Sequence, residues 1–300
     1  MTRRFFLTAL IFLILFPALT GQQLKSICFL SDSQEPLFFE KLIIHDKGNE
    51  EGRDSLFRRL ERIHPGYLFL LGDLVSRGSD EEAWKPLDDF LLKPGYGTKV
   101  YAIPGNHEYI GSHKGHISSF TSRFGTMGLN GFVVKIDSLA IIMLNSNFKK
   151  AGNSAELTRW YKSVTDSLDR DKATSGFIVC AHHAPFSNSK VVGASEPVQE
   201  SFVPPFEASA KGKLFISGHS HNLELFRSDR GKKYLVAGGG GGLVQELEEK
   251  DKRKFKDLLD DKVKPRFFFI RMDILNGSQY YKACGFTKEM KYIELQLDLN

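Results

Sequence analysis

Cysteine is scarce in this sequence, and neither sign of charge is in clear excess. The three cysteines of the 300-residue chain, Cys28, Cys180 and Cys284, are too few for the disulfide framework of a small secreted domain. Lysine and arginine number 41 against 36 aspartate and glutamate residues, and the net charge of +5 is too small to indicate a nucleic-acid partner. Hydrophobic residues make up 41% and charged residues 26%, which excludes a disordered chain and a multi-span membrane protein.

An apolar segment near the N-terminus has the order of an export signal. Two arginines precede an almost wholly apolar run, residues 5–16, and a proline with small or polar residues follows it. This order predicts a signal peptide over residues 1–21 and an exported protein, periplasmic or secreted. The run is short of the roughly 20 residues that span a bilayer, so membrane contact is expected only if the segment stays uncleaved as an anchor. Residues 2–7 also resemble the twin-arginine export pattern, although the very apolar run favours the ordinary route.

The remainder, residues 22–300, is predicted to form a single domain in which strands and helices alternate. Apolar residues recur at helical spacing over residues 55–63. Residues 245–264 are rich in charge and are expected to form an exposed helix or loop. Three strands follow that segment and are predicted to close the fold as an antiparallel set, with a turn at Asn276-Gly277. Cys28 and Cys180 lie in predicted apolar strands and are expected to be buried free thiols.

Polar side chains follow five of the predicted strands, at the point where each strand ends. Because the carboxyl ends of parallel strands meet at one edge of an α/β sheet, these side chains are expected to converge on one cleft. Carboxylates, amide oxygens and imidazoles together suit Mn, Fe or Zn, and their number fits two metal ions that share a bridging carboxylate. The converging residues are Asp32, Gln34, Asp73, Asn106, His107, His182, His183, His219 and His221.

The motifs that contain these residues occur in an order typical of one superfamily. DxQ, GDxxxxG, GNHE, HHxP and GHSH follow one another over residues 25–240 and resemble the calcineurin-like metallophosphoesterases, which include the purple acid phosphatases. The resemblance implies a mixed α/β fold, a four-layer αββα double β-sandwich. It also implies a metal-dependent phosphoric ester hydrolase that carries two metal ions, Fe, Mn or Zn. Such an enzyme acts on a small-molecule phosphate ester by attack of a metal-bridging hydroxide.

The resemblance assigns metal-binding roles to residues of this sequence. In the first metal site it places Asp32, Gln34 and His221. In the second site it places Asn106, His182 and His219. Asp73 would bridge the two ions. His183 is the alternative to His182, because the two histidines are adjacent in the HHxP motif.

The resemblance implies catalytic roles for Asp73 and His107, and substrate contacts for Asn106, His107 and Arg77. Asp73 counts as catalytic because it would hold both ions. Asn106 and His107 are expected to contact the phosphate, and His107 to protonate the leaving oxygen as a general acid. Arg77, in GDLVSRG, resembles an arginine of the Ser/Thr phosphatase branch and is a candidate contact to the phosphate.

Two positions depart from the superfamily pattern. Gln34 stands where many members have histidine, and its amide oxygen is a weaker ligand than imidazole, so the first metal site is expected to be looser. Ser76 stands where purple acid phosphatases have tyrosine, which argues against an Fe(III)–tyrosinate centre. The motifs favour a phosphomonoesterase. The alternatives are a phosphodiesterase, acting on a cyclic nucleotide or a phospholipid, and a non-catalytic protein that binds a phosphorylated ligand at a weakened metal site.

Overall fold

The computed structural model describes most of the chain beyond the predicted signal peptide. The described residues are 25–36, 48–93, 97–111, 116–152 and 154–299. The predicted signal over residues 1–21 lies outside them. Within them, no helix is both long enough and apolar enough to cross a bilayer.

The first of two sheets is built around the strands that carry the first three motifs. It has six strands in the order β12-β11-β10-β1-β2-β3. Strands β1, β2 and β3 run parallel, and the remaining three pair antiparallel, as predicted for the closing set. The strands are β1 (Lys25–Leu30), β2 (Tyr67–Leu70), β3 (Lys99–Ala102), β10 (Phe267–Leu275), β11 (Ser278–Phe286) and β12 (Tyr292–Leu297).

The second sheet carries the histidine motifs. Its six strands lie in the order β4-β5-β6-β7-β9-β8, and the four central strands are parallel to one another. Every residue of β5 and of β6 is buried, which is why these two segments are apolar without alternation. The strands are β4 (Gly131–Ile136), β5 (Leu139–Leu144), β6 (Gly176–Ala181), β7 (Gly212–Ser217), β8 (Leu223–Arg227) and β9 (Lys233–Ala237).

Helices cover the outer face of each sheet. Leu56, Trp84 and Phe120 pack on the first sheet, whereas Tyr161 and Phe206 pack on the second. The helices on the first sheet are α1 (Asn49–Ile63), α2 (Glu81–Leu91) and α3 (His116–Phe124). Those on the second are α4 (Phe148–Ala151), α5 (Ser154–Arg170), α6 (Glu196–Ser201) and α7 (Val203–Ala208). Short 3₁₀ turns occupy His107–Tyr109, Met127–Leu129 and Asp261–Val263.

The two sheets pack face to face and enclose the largest apolar core. Phe29 and Phe69 of the first sheet share this core with Ile141 and Ile216 of the second. The layers therefore follow one another as helices, sheet, sheet, helices, and the predicted αββα double β-sandwich is confirmed. Cys28 and Cys180 are buried free thiols, as predicted, and burial raises the pKa of the Cys180 thiol well above its usual range.

Some elements differ from the sequence prediction. Helix α1 begins at Asn49, well before the predicted residue 55. Its first turns are fixed by polar contacts, since the Asn49 amide donates to the carbonyls of Gly241 (2.8 Å) and Gly242 (2.9 Å). Apolar periodicity cannot reveal such contacts. The charge-rich segment at residues 245–264 is a loop with a single 3₁₀ turn. Strand β8 and helices α3, α4, α6 and α7 have no counterpart in the prediction.

The packing between the sheets predicts how far a truncated core side chain lowers the free energy of unfolding. Ile141 lies in the middle of β5 and is fully buried between the sheets. We expect Ile141→Ala to lower the free energy of unfolding by about 2–5 kcal/mol, because a cavity remains where the side chain packed. Val191→Ala is the control, since Val191 is 72% exposed, and it should change stability by less than about 0.5 kcal/mol. Urea denaturation followed by circular dichroism measures both, and equal values would contradict the packing described.

Candidate functional site

The predicted residues lie where the parallel strands of both sheets end. Asp32 follows β1, Asp73 follows β2 and Asn106 follows β3, while His182 follows β6 and His219 follows β7. Both sheets direct these ends to the same side of the sandwich, so the side chains that follow these five strands meet there. The sequence prediction of a single cleft at the strand ends therefore agrees with the placement of these side chains.

Four of the converging residues adopt a backbone conformation that residues other than glycine rarely take. The φ angles are 60° at Asp32, 51° at Asp73, 71° at His219 and 46° at His221. A residue with a Cβ atom in this left-handed region is strained by about 1–3 kcal/mol, and such residues cluster at functional sites. The chain tolerates this strain at the four positions because surrounding contacts fix each of them, which points to a functional reason for their orientation.

One group of potential ligands surrounds Asp32. Ligand atoms of Asp32, Asp73 and His221 all lie within 4.8 Å of one another, and His221 Nε2 is 3.3 Å from an Asp32 carboxylate oxygen. The other ring nitrogen of His221 donates to the Leu243 carbonyl at 2.7 Å, which leaves Nε2 free to face the group. The Gln34 amide nitrogen donates to the Asp73 carbonyl at 2.6 Å, and its oxygen then lies 3.1 Å from His221 Nε2.

A second group surrounds His182. His182 Nε2 is 3.2 Å from an Asp73 carboxylate oxygen, 3.2 Å from Asn106 Oδ1 and 3.2 Å from His219 Nδ1. Its Nδ1 donates to the Leu71 carbonyl at 3.0 Å, and this bond turns the lone pair of Nε2 towards the group. The structure thus brings together Asp73, Asn106, His182 and His219 as the sequence predicts.

The neighbouring His183 is held differently. Its Nδ1 lies 2.8 Å from Ser146 Oγ, and its backbone nitrogen donates to the same hydroxyl at 3.0 Å. A ligand atom of His183 is nevertheless within 4.8 Å of those of His182 and His219. His182 is therefore the histidine in contact with Asp73 and Asn106, while His183 is held beside it by Ser146.

His107 stands at the solvent side of the two groups. Its backbone nitrogen donates to an Asp73 carboxylate oxygen at 2.8 Å, and its Nδ1 donates to the Ser76 carbonyl at 2.9 Å. The free Nε2 is 3.9 Å from Asp73, and 17% of the side chain is exposed. Arg77 is exposed, and within the described residues it forms no hydrogen bond or ion pair to the side chains of the site.

A buried carboxylate that the sequence analysis did not single out holds two of the loops together. Glu108 accepts hydrogen bonds from the backbone nitrogens of Asp73 (2.9 Å), Leu74 (2.7 Å) and Gly105 (2.6 Å). Burial, together with the charge of Asp73, raises the pKa of Glu108 to about 7. The GNHE motif contains this glutamate, but only the structure shows that it ties the Asp73 loop to the Gly105 loop.

The glycine run after β9 also belongs to the site. The run, residues 238–242, lies alongside the end of β1. Gly240 donates to the Ser31 carbonyl at 2.9 Å and Gly242 to the Asp32 carbonyl at 2.8 Å. A Cβ at Gly242 would lie 2.6 Å from the His221 ring, so the close approach of backbone to ligand requires glycine.

The charges of the site favour a bound cation. Burial opposes ionisation of Asp73, but His182 beside it lowers the pKa of that carboxyl well below its usual range. Burial and then His182 lower the pKa of His183 to about 3, and the same causes lower the pKa of His219. Within the described residues no lysine or arginine forms an ion pair with Asp32 or Asp73. Burial lowers the pKa of His182, but Asp73 beside it raises the pKa to about 9, and Asp32 raises the pKa of His221 against burial in the same way. The two buried carboxylates thus favour positive charge at this place, and carboxylates with imidazoles are a donor set that metal ions fit.

The close contact between two loops predicts which glycine the site cannot replace. A Cβ at Gly105 would lie 2.2 Å from Asp73 Oδ1, whereas a Cβ at Gly97 would meet nothing within 4 Å. We expect Gly105→Ala to displace the Asp73 carboxylate and lower the bound metal per chain, with Gly97→Ala as the matched control. Metal analysis of the purified variants measures the difference. Equal metal content in the two variants would contradict the close approach.

Comparison with solved structures shows the same fold in proteins of low sequence identity. GAP50 of Plasmodium, the anchor in the inner membrane complex, has a TM-score of 0.63 and 15% identity over 92% of this chain and 89% of its own. A purple acid phosphatase from yellow lupin (Lupinus luteus) seeds has a TM-score of 0.65 and 13% identity over 91% of this chain and 53% of its own. A dimetal phosphatase from Danio rerio has a TM-score of 0.60 and 12% identity over 91% of this chain and 99% of its own.

The sequence itself matches a family model. A search of curated proteins gave no significant match. The model of the calcineurin-like phosphoesterase domain matches residues 25–223, which contain every metal-ligand candidate described above. The chain therefore belongs to the calcineurin-like phosphoesterase family.

Proposed function

We propose that this protein is an exported phosphomonoesterase that works with two metal ions. The observation that carries the proposal is the position of Asp73, whose carboxylate lies within reach of both groups of potential ligands. One of its oxygens is 3.2 Å from His182 Nε2, and its ligand atom lies within 4.8 Å of those of Asp32 and His221. A carboxylate shared by two ligand groups is the arrangement expected of a dinuclear phosphoesterase site.

The ligands of the two ions follow from the two groups. We assign the first ion to Asp32, Gln34, Asp73 and His221. We assign the second ion to Asp73, Asn106, His182 and His219. His182 is preferred to His183 because its Nε2 lies 3.2 Å from both Asp73 and Asn106, whereas the described hydrogen bonds of His183 go to Ser146. Metal ions bound here would supply Lewis-acid stabilisation of the phosphate and lower the pKa of a bound water.

The remaining chemistry falls to His107. Its Nδ1 is committed to the Ser76 carbonyl, so only Nε2 can face a phosphate ester in the cleft. In hydrolysis the oxygen of water forms a bond to phosphorus while the bond from phosphorus to the leaving oxygen breaks. A proton at His107 Nε2 would pass to that leaving oxygen, and the imidazolium would also stabilise charge on the phosphate. Arg77 is exposed close to Ser76 in sequence and is a further candidate contact to the substrate.

Two other functions are alternatives to this proposal. A phosphodiesterase would use the same ligands on a cyclic nucleotide or a phospholipid. A protein that only binds its partner is the other alternative, and two observations favour it: Gln34 occupies a ligand position with a weak donor, and the similar fold of Plasmodium GAP50 serves as an anchor. We prefer the enzyme because Asp73, His107 and both histidines of GHSH are in place.

The proposed roles of Asp73 and His107 predict different defects. Asp73→Asn should lower both the metal content and the activity, because the shared carboxylate loses its charge. His107→Ala should keep the metal but lower kcat on p-nitrophenyl phosphate by about 10²–10⁴-fold, the usual contribution of a general acid. His64→Ala is the matched control, since His64 is exposed at the end of α1. Full metal content without turnover in the unmodified protein would overturn the enzyme and favour the binding protein.

The preference for monoesters predicts the outcome of a paired assay. The mature protein, loaded with Mn, Fe or Zn, should hydrolyse p-nitrophenyl phosphate faster than bis-p-nitrophenyl phosphate, as judged by kcat/KM. His107→Ala should lower both rates, which shows that both substrates use the same site. A faster reaction with the diester in the same preparation would replace the monoesterase by a phosphodiesterase.

A further inference from the structure

A basic cleft of about 720 Å³ opens at the end of the sandwich opposite the metal-ligand groups. It lies where β7 begins at Gly212 and β9 begins at Lys233, and the β10–β11 hairpin forms its far wall. His219 follows the other end of β7. A strand of six residues at about 3.3 Å per residue separates the two ends by roughly 15–20 Å. The cleft is therefore distinct from the site described above.

Cations dominate the lining of this cleft. Its basic residues are Lys213, Arg227, Arg230, Lys232 and Lys233, and the acidic residue among its described lining is Asp298. The Asp298 carboxylate is a weak counter-charge, because its side chain is 95% exposed and 4.0 Å from the Lys233 ammonium. Like charges gathered on concave, low-dielectric walls repel one another and attract an anion.

Lys232 and Lys233 both donate hydrogen bonds to backbone carbonyls in the cleft. Lys232 donates to the carbonyls of Ser209 (2.7 Å) and Gly212 (2.8 Å), and Lys233 donates to the Asp298 carbonyl at 3.0 Å. Burial lowers the pKa of Lys232, although Glu207 and Asp169 oppose that shift from nearby. Neutral carbonyl acceptors position a cation without cancelling its charge.

Two of the cations are available to a ligand. Within the described residues, neither Lys213 nor Arg227 forms a hydrogen bond or an ion pair through its side chain, and both are exposed. Lys213 extends from β7 and Arg227 ends β8, and β9 lies between these two strands, so one sheet holds both side chains on the rim of the same cleft. An arginine fork and a lysine ammonium in one cleft are a common combination for binding phosphate oxygens.

We propose that this basic cleft binds a phosphate-bearing anion with more than one negative charge, separately from the metal centre. Its volume is within the range of small-molecule sites, and its five cations match a ligand with two or more phosphate groups. The ligand is either a free polyphosphorylated molecule or the headgroup of an anionic lipid, which present the same chemistry to Lys213 and Arg227.

The surroundings of the cleft are compatible with a ligand that is a lipid headgroup. Strand β1 begins at Lys25, which pairs with Ile274 beside the β10–β11 hairpin, so the chain enters the domain at this end. Leu275 is 44% exposed and Tyr280 is 46% exposed on the same hairpin. An exposed leucine and tyrosine beside a group of cations are features of surfaces that contact anionic membranes.

The test compares charge-matched variants of the metal-loaded protein. Lys213→Gln/Arg227→Gln removes two cations of the cleft, and Lys288→Gln/Lys291→Gln removes two exposed lysines elsewhere. Calorimetric titration with inositol hexakisphosphate should show binding that weakens about tenfold, or about 1.4 kcal/mol, in the cleft variant and is unchanged in the control variant. Activity on p-nitrophenyl phosphate should be the same in all three proteins, since neither pair belongs to the catalytic site.

Sedimentation with vesicles distinguishes the two sources of phosphate. If the ligand is a lipid headgroup, the unmodified protein should sediment with phosphatidylcholine vesicles that contain phosphatidylserine, and the cleft variant should stay in the supernatant. Binding of inositol hexakisphosphate without vesicle binding supports a free polyphosphorylated ligand. Equal binding of both probes by the two double variants overturns the proposal, as does binding lost in Asp73→Asn instead, which would place the anion at the metal centre.

Discussion

The site depends on the position of the Asp73 carboxylate between two groups of potential ligands. Asp73 has a strained backbone with φ of 51°, and three contacts hold it there. Glu108 accepts a hydrogen bond from its backbone nitrogen, the His107 backbone donates to its carboxylate, and Gly105 approaches so closely that no side chain fits between. The strain at Asp73 is thus offset by contacts from the next motif along the chain. The Asp73 loop and the loop of the GNHE motif therefore form one structural unit.

The double sandwich explains why distant motifs meet. Parallel strands in both sheets end on the same side, and the core between the sheets is apolar and tightly packed, with Phe29, Phe69, Ile141 and Ile216 fully or almost fully buried. A rigid core of this kind fixes the loops at its edge, so carboxylates from one sheet face histidines from the other. The opposite edge of the sandwich gathers cations instead, and the molecule therefore has two chemically different ends.

Much of this arrangement could be predicted from the sequence, for physical reasons that are visible in particular residues. Buried strands are apolar almost throughout, as β1 (Lys25–Leu30) is, so the strands that precede the predicted site can be recognised from their apolar runs. The predicted ligand positions follow such strands directly, which is why Asp32, Asp73 and His219 could be placed at one edge. The early turns of α1 and the role of Glu108 could not be predicted, because both depend on hydrogen bonds between segments far apart in the chain. The basic cleft could not be predicted either, because its cations come from the ends of three separate strands and the turn between two of them.

The most direct test of the central claim is an anomalous-scattering crystal structure of the metal-loaded protein. The account predicts two peaks about 3.5–4 Å apart, one on each side of the Asp73 carboxylate. The first peak should lie among Asp32, Gln34 and His221, and the second among Asn106, His182 and His219. A single peak, or two peaks that do not share Asp73, would contradict the assignment of a dinuclear centre to this site.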